Sequence, residues 1–200
     1  DISGLQFDME LATTARTEEI DSFSRRCVYT KRRRAAWMKV ITTKWIDQNK
    51  GDGADPKFRA RLVGRDIAKE KRDDLFAATP PLENLTAILH VCASRQRRRH
   101  PHIIMSIAVK RAYFYAPATR PLFIATPKED WEEGDEDNVA QLNLSLYGTR
   151  DAAMNWAKTF TDFLVRRGLE NGKASPCSSK RRTRDIAMTV RGDDFTCSAG

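Results

Sequence analysis

Residues 189–200 read TVRGDDFTCSAG, and the adjacent carboxylates Asp193 and Asp194 stand just after a glycine, between two short apolar runs. Paired carboxylates on a hairpin tip offer the hard oxygen donors that Mg2+ or Mn2+ requires. Nucleotidyl transfer uses two such ions about 3.5–4 Å apart, one on the attacking 3′-hydroxyl and one on the triphosphate leaving group. Carboxylates from at least two strands must then converge, so Asp193 and Asp194 can supply one half of such a site. A Gly-Asp-Asp tripeptide is equally at home in a polar turn, and the rest of the chain has to decide between the two.

A second set of side chains is suited to phosphates. In KFRARLVGRD, residues 57–66, alternation puts Lys57, Arg59 and Arg61 on one face of an extended segment. Further basic runs occur at KRRR (31–34), RQRRRH (95–100, with Arg97, Arg98 and Arg99) and KRRTR (180–184). Such runs contact nucleic acid, act as nuclear-import signals or form solvated loops, and the last is the commonest outcome. The chain carries 35 Lys and Arg against 27 Asp and Glu, a formal charge of +8, over 200 residues. That balance favours polyanionic partners.

Other classes are poorly served. Cys27, Cys92, Cys177 and Cys197 are far apart with no C-x-x-C pair, which argues against a zinc module or a disulfide framework and for reduced thiols inside a cell. No apolar run approaches the roughly 20 residues that span a bilayer, so no membrane partner is expected. The sequons at Asn84 and Asn143 fall within apolar-periodic segments and read as chance. A first residue of Asp1 rather than Met is expected of a piece of a longer polyprotein.

The elements that would position these residues are mixed. Residues 1–24 suggest a polar helix with a frayed start. WMKVITTKWIDQ, the turn NKGDGADP and KFRARLVGRD predict a β-hairpin. ATPP at 78–81 opens a helix whose stripe is Leu85, Ile88, Leu89 and Cys92, with His90 off it on the surface. IIMSIAVKRAYFYA predicts a buried strand running into a turn or helix, PLFIATP a short strand, and VAQLNLSLYG a strand ending at Gly148. Residues 151–167 make the clearest helix, with Ala153, Trp156, Phe160, Phe163 and Leu164 on its inner face and Gly168 past its end. IAMTV and DDFTC flank Gly192 as a second hairpin, where a type II′ turn wants glycine first. The sum is an α+β domain with a mostly antiparallel sheet and packed helices.

The blocks KVITTKWID, RARLVGRDI, LFAATPPLE, KRAYFYAPATRPLFI, LNLSLYGTRDAAMNWA and VRGDDF, in this order over residues 37–196, give the chain a marked similarity. It resembles the reverse transcriptase of copia-type long-terminal-repeat retrotransposons. The resemblance implies a right-hand polymerase architecture: an N-terminal extension at 1–36, fingers at about 37–100 and palm at about 101–200, truncated before the thumb. It implies an RNA template, a DNA primer, deoxynucleoside triphosphates and Mg2+ (or Mn2+) as partners, and an intracellular setting in a cytoplasmic particle or the nucleus. By the same resemblance Arg59 and Arg61 meet the incoming triphosphate, and Tyr113 is the aromatic gate that rejects a ribose 2′-hydroxyl. Gly148 lets backbone approach the new base pair, and Asp193 and Asp194 are catalytic metal ligands. Lys57, Arg97, Arg98 and Arg99 would contact nucleic acid.

The same alignment exposes departures. The first palm motif of that family opens with a metal-binding aspartate, and Ala108 stands there, with no Asp or Glu anywhere between Glu83 and Glu129. Arg191 replaces an aromatic or histidine before the Gly-Asp-Asp, and SSKRR at 178–182 is more polar than the family's strand. Two readings stay open: a polymerase, or an inactive nucleic-acid-binding relic of the same fold.

Overall fold

The computed structural model describes residues 8–52, 54–67, 77, 79–97 and 100–200. In chain order these form α1 (Met9–Arg26), β1 (Tyr29–Arg33), β2 (Val40–Ile41), β3 (Thr43–Asn49), β4 (Phe58–Gly64), α2 (Leu82–Ser94), β5 (Ile103–Ala108), β6 (Phe123–Ala125), β7 (Asn138–Leu142), α3 (Ala152–Arg166), β8 (Glu170–Asn171), β9 (Ser178–Arg181), β10 (Ile186–Arg191) and β11 (Asp194–Ala199). The α+β expectation is met. The chain divides into two compact units, each discontinuous in sequence: Asp1–Lys71 with Ala116–Ala152, and Arg72–Tyr115 with Ala153–Gly200.

In the first unit, the Asp8 carboxylate caps α1 by accepting the Glu10 and Leu11 N–H groups at 3.0 and 3.1 Å. The helix stops at Cys27, which takes a left-handed conformation. Its buried face, Ala12, Ala15, Ile20 and Phe23, packs on β4, and Arg16 reaches Asp47 at 2.5 Å. β3 and β4 form the expected hairpin, with Ile46 opposite Arg61 and Gln48 opposite Arg59. A four-stranded sheet in the order β1-β7-β6-β2 is antiparallel except for the β2–β6 pair.

Two expectations need correction in this unit. The basic run 31–34 is no solvated loop, because Lys31–Arg33 belong to strand β1. Lys31 turns inward to the acidic segment and binds Asp135 at 2.6 Å. The strand proposed to run to Gly148 ends at Leu142, and beyond it the chain leaves the sheet, touching Pro117 through an isolated bridge at Leu144.

In the second unit a five-stranded sheet runs β5-β11-β10-β9-β8, all antiparallel. α2 packs on β11 and β10, and α3 meets the sheet through Trp156 and Phe160, whose rings contact Phe195. α3 closes as anticipated: Gly168 at φ +81 donates to the Val165 carbonyl and Leu169 to Leu164, a Schellman pair. The apolar stripes are less buried than their periodicity predicts. Of the α2 stripe only Ile88 and Cys92 are buried while Leu85 and Leu89 are exposed, and on α3 Phe163 is exposed. β5, expected to be buried, is exposed at all six positions. It lies at the sheet edge, so an apolar run that periodicity reads as core has a neighbouring strand on one side only.

Candidate functional site

The β10–β11 hairpin carries the acidic pair. Arg191 lies opposite Asp194, leaving Gly192 and Asp193 as the two-residue tip. Gly192 has φ +63 and Asp193 does not share the positive φ, which is the type II′ pattern read from the sequence. Both aspartates are exposed. The indole N–H of Trp156 donates to the Gly192 carbonyl at 2.8 Å, so α3 holds the tip from below. Phe195 adds edge-on contacts to Trp156 and Phe160, with centroids 6.2 and 5.6 Å apart.

β5 runs beside β11 and places Ala108 directly opposite Asp194. The Val109 N–H donates to the Asp193 carbonyl at 2.9 Å, which fixes that register up to the tip. Tyr113, in the short 3-10 turn Ala112–Tyr115 after β5, is half-buried. Burial, and then the nearby charge of Asp193, push its phenol above the usual tyrosine range. Ala108, Asp193 and Asp194 therefore share one end of one sheet, with Tyr113 in the turn that follows β5 there.

That end does not fit a two-ion centre. A methyl group has no donor atom, and Ala108 occupies the position across from the acidic pair. Among the described residues no group of three or more His, Cys, Asp or Glu could hold a metal ion. The cross-strand partner of Asp194 on its other side is a cation, Arg191. Two carboxylates from a single turn supply only part of the oxygen donors that a pair of divalent cations requires.

The other candidate residues lie in the first unit, at the seam between β4 and the loop after β7. Gly148 has φ +78, and a Cβ there would sit 2.1 Å from the Gly64 carbonyl oxygen and 2.4 Å from Val63. The close approach that Gly148 permits is thus to the chain's own β4 backbone. Gly64 N–H donates to Tyr147 C=O at 2.8 Å, and Asp66 N–H to Gly148 C=O at 3.3 Å. Arg61 lays its guanidinium over the Tyr147 ring at 5.5 Å, and its buried Nε makes no hydrogen bond. Arg59 is half-buried on the same strand face, and Lys57 is exposed and paired with Asp55 at 2.8 Å. Arg97 is exposed just beyond α2, while Arg98 and Arg99 lie outside the described residues.

Three features of these regions were not singled out in the sequence. Arg120 binds Asp66 at 2.6 Å and Asp151 at 3.2 Å, locking the GRD after β4 to the TRD after Gly148. Asp151 is buried, so the pairing satisfies a charge that would otherwise be costly. Repetition of Arg-Asp after each glycine was the available signal. Trp156 was read as core and is also a hydrogen-bond donor to the hairpin tip. His102, buried beneath the end of β11, bonds Ser198 at 2.9 Å and Asp185 at 3.1 Å, and nothing in the sequence pairs those positions.

A family model described as "Reverse transcriptase (RNA-dependent DNA polymerase)" matches residues 28–197, and the chain belongs to that family. Its relatives narrow the type to copia-like retrotransposons. The chain is 23% identical over 168 residues to the retrovirus-related Pol polyprotein from transposon TNT 1-94 of Nicotiana tabacum, covering 82% of this chain and 12% of that polyprotein. It is 25% identical over 154 residues to the transposon Ty1-BL Gag-Pol polyprotein of Saccharomyces cerevisiae, covering 76% of this chain and 8% of the relative. The chain therefore spans only a small fraction of the relatives it matches.

Proposed function

We propose that this chain is the fingers and palm portion of a copia-type reverse transcriptase that holds template and primer but is severely impaired in nucleotidyl transfer. Fingers correspond to about residues 37–100, palm to about 101–200, and residues 1–36 to an extension. Arg59 and Arg61 face the incoming triphosphate, Tyr113 gates the sugar, and Gly148 lets backbone approach the new base pair. Lys57 and Arg97 to Arg99 contact the nucleic-acid backbone. Its setting is intracellular, in a cytoplasmic particle or the nucleus.

The observation that carries the impairment is Ala108 directly opposite Asp194. In a two-ion transfer a carboxylate at that position stabilises charge on the transferring phosphoryl group, and losing such a group costs orders of magnitude in rate. Primer extension on an RNA template with Mg2+ or Mn2+ tests it. The unmodified chain is expected to stay at background while Ala108→Asp gains extension. Robust extension by the unmodified chain would sink the proposed impairment.

A further inference from the structure

At the other end of the second unit's sheet, two basic runs that lie far apart in sequence come together. The loop after α2 brings Arg95 and His100, and the 3-10 turn between β9 and β10 brings Arg182 and Arg184. Their junction is a direct ion pair between Arg95 and Asp185. His100, Arg182, Thr183 and Arg184 line an open cavity above it. Asp185 precedes β10 and Gly192 follows it, so this surface lies about 20 Å from the Asp193–Asp194 tip at roughly 3.3 Å per strand residue.

The charge at this surface is one-sided. Its central acid, Asp185, is already engaged by Arg95 and by the buried His102, whose other ring nitrogen bonds Ser198. Burial raises the Asp185 carboxyl, but the Arg95 charge and the His102 hydrogen bond outweigh it and hold the group below the usual carboxylate range. Glu170 comes only within 3.7 Å of Arg182, with both side chains largely exposed. Among the described residues no carboxylate is paired with Arg184. Arg182 and Arg184 are exposed and directed outward by a turn whose end is fixed by the left-handed Asp185.

We propose that this surface is a second contact for the phosphodiester backbone of nucleic acid, separate from the hairpin end. The cations at the surface are arginines, whose planar fork matches phosphate oxygens two at a time. Among the described residues no large apolar side chain lines the cavity, which leaves nothing there to insert into a lipid surface. The choice of nucleic acid over an acidic peptide rests on the reverse-transcriptase reading given above. The contact is sequence-independent and salt-sensitive, since it works by displacing counterions from phosphates. Arg95 acts differently from Arg182 and Arg184: it neutralises Asp185 and so keeps the surface positive.

The experiment is fluorescence anisotropy with a labelled RNA–DNA hybrid across a salt series. It compares the unmodified chain, Arg182→Ala/Arg184→Ala, and Arg182→Glu/Arg184→Glu, with urea midpoints to verify that folding is unchanged. Losing two phosphate contacts should flatten the slope of log K against log salt by about 1.5–2. Affinity at low salt should fall about tenfold for the alanine pair and further for the glutamate pair. A slope unaltered in both variants, with hybrid binding intact, overturns the second contact alone. Absence of any hybrid binding by the unmodified chain overturns it together with the template-holding reading. Labelled poly-glutamate bound as tightly as the hybrid, and lost equally in the variants, assigns the surface to acidic peptides and overturns it as well.

Discussion

At Gly148 a single added methyl would lie 2.1 Å from the carbonyl oxygen of Gly64, whereas a methyl added at Gly192 would meet nothing within 4 Å. Both glycines have positive φ and both sit in segments that carry family motifs. Around Gly148 the backbone of one motif is hydrogen-bonded to the backbone of another, and the adjoining Arg120–Asp66–Asp151 cluster is partly buried. Around Gly192 the chemistry-bearing side chains Asp193, Asp194, Arg191 and Ala108 are all exposed. The first region is held by packing, and the second is open to solvent. An exposed position can change its side chain with little effect on folding, and on the proposed reading Ala108 and Arg191 stand at such positions.

The widest contrast should come from the two glycines themselves. Gly148→Ala combines a left-handed backbone with a backbone clash, and should cost about 3 kcal/mol or more. Gly192→Ala carries only the left-handed penalty of about 1–2 kcal/mol. Urea midpoints of the two variants measure the difference, and equal losses would remove the contrast between the regions. A smaller effect is expected at Trp156. Trp156→Phe keeps most of the ring packing but gives up the hydrogen bond to the Gly192 carbonyl, for about 1 kcal/mol. Amide exchange should accelerate at Gly192 and Asp193 more than elsewhere in β10 and β11. Uniform acceleration along both strands would mean that the indole supports the whole sheet and not the tip.

Much of this was legible in advance, for reasons that differ between elements. The two hairpins and α3 were found because turn chemistry and helix periodicity are local, and Gly192 and Gly168 mark their ends in the sequence. The register of Ala108 against Asp194 was reachable only through family motifs, because strand pairing across some 85 residues leaves no periodic trace. β5 was misjudged for the same reason: six apolar-rich residues look alike whether a strand is central or at an edge. Nothing local sets Lys31 apart from the other basic residues of its run, because its partner Asp135 lies 104 residues away. The Arg95–Asp185–His102 junction is equally non-local and passed unnoticed.

That Lys31–Asp135 contact supplies the smallest of the expected effects, and it asks whether the firmness of the first unit extends beyond the Gly148 seam. The Asp135 carboxylate accepts the Lys31 ammonium at 2.6 Å, the Asn138 side-chain amide at 2.8 Å and the Glu132 N–H at 3.0 Å. Led by the bond from Lys31, these interactions hold the carboxyl down at about 2. An unfolded aspartate titrates near 3.9, at roughly the model-peptide value. Because the folded pKa is the lower one, the contribution is fully present above about pH 4 and is lost as pH falls from there through about 2. Asp135→Asn removes the titration while keeping the side chain's size. Urea midpoints of the two proteins should therefore differ most at pH 5 and above, with the unmodified chain the more stable, and converge as pH approaches 2. A gap that stays constant from pH 5 down to 2 would show that Asp135 contributes through shape and not through charge, and would confine the first unit's tight constraint to the seam.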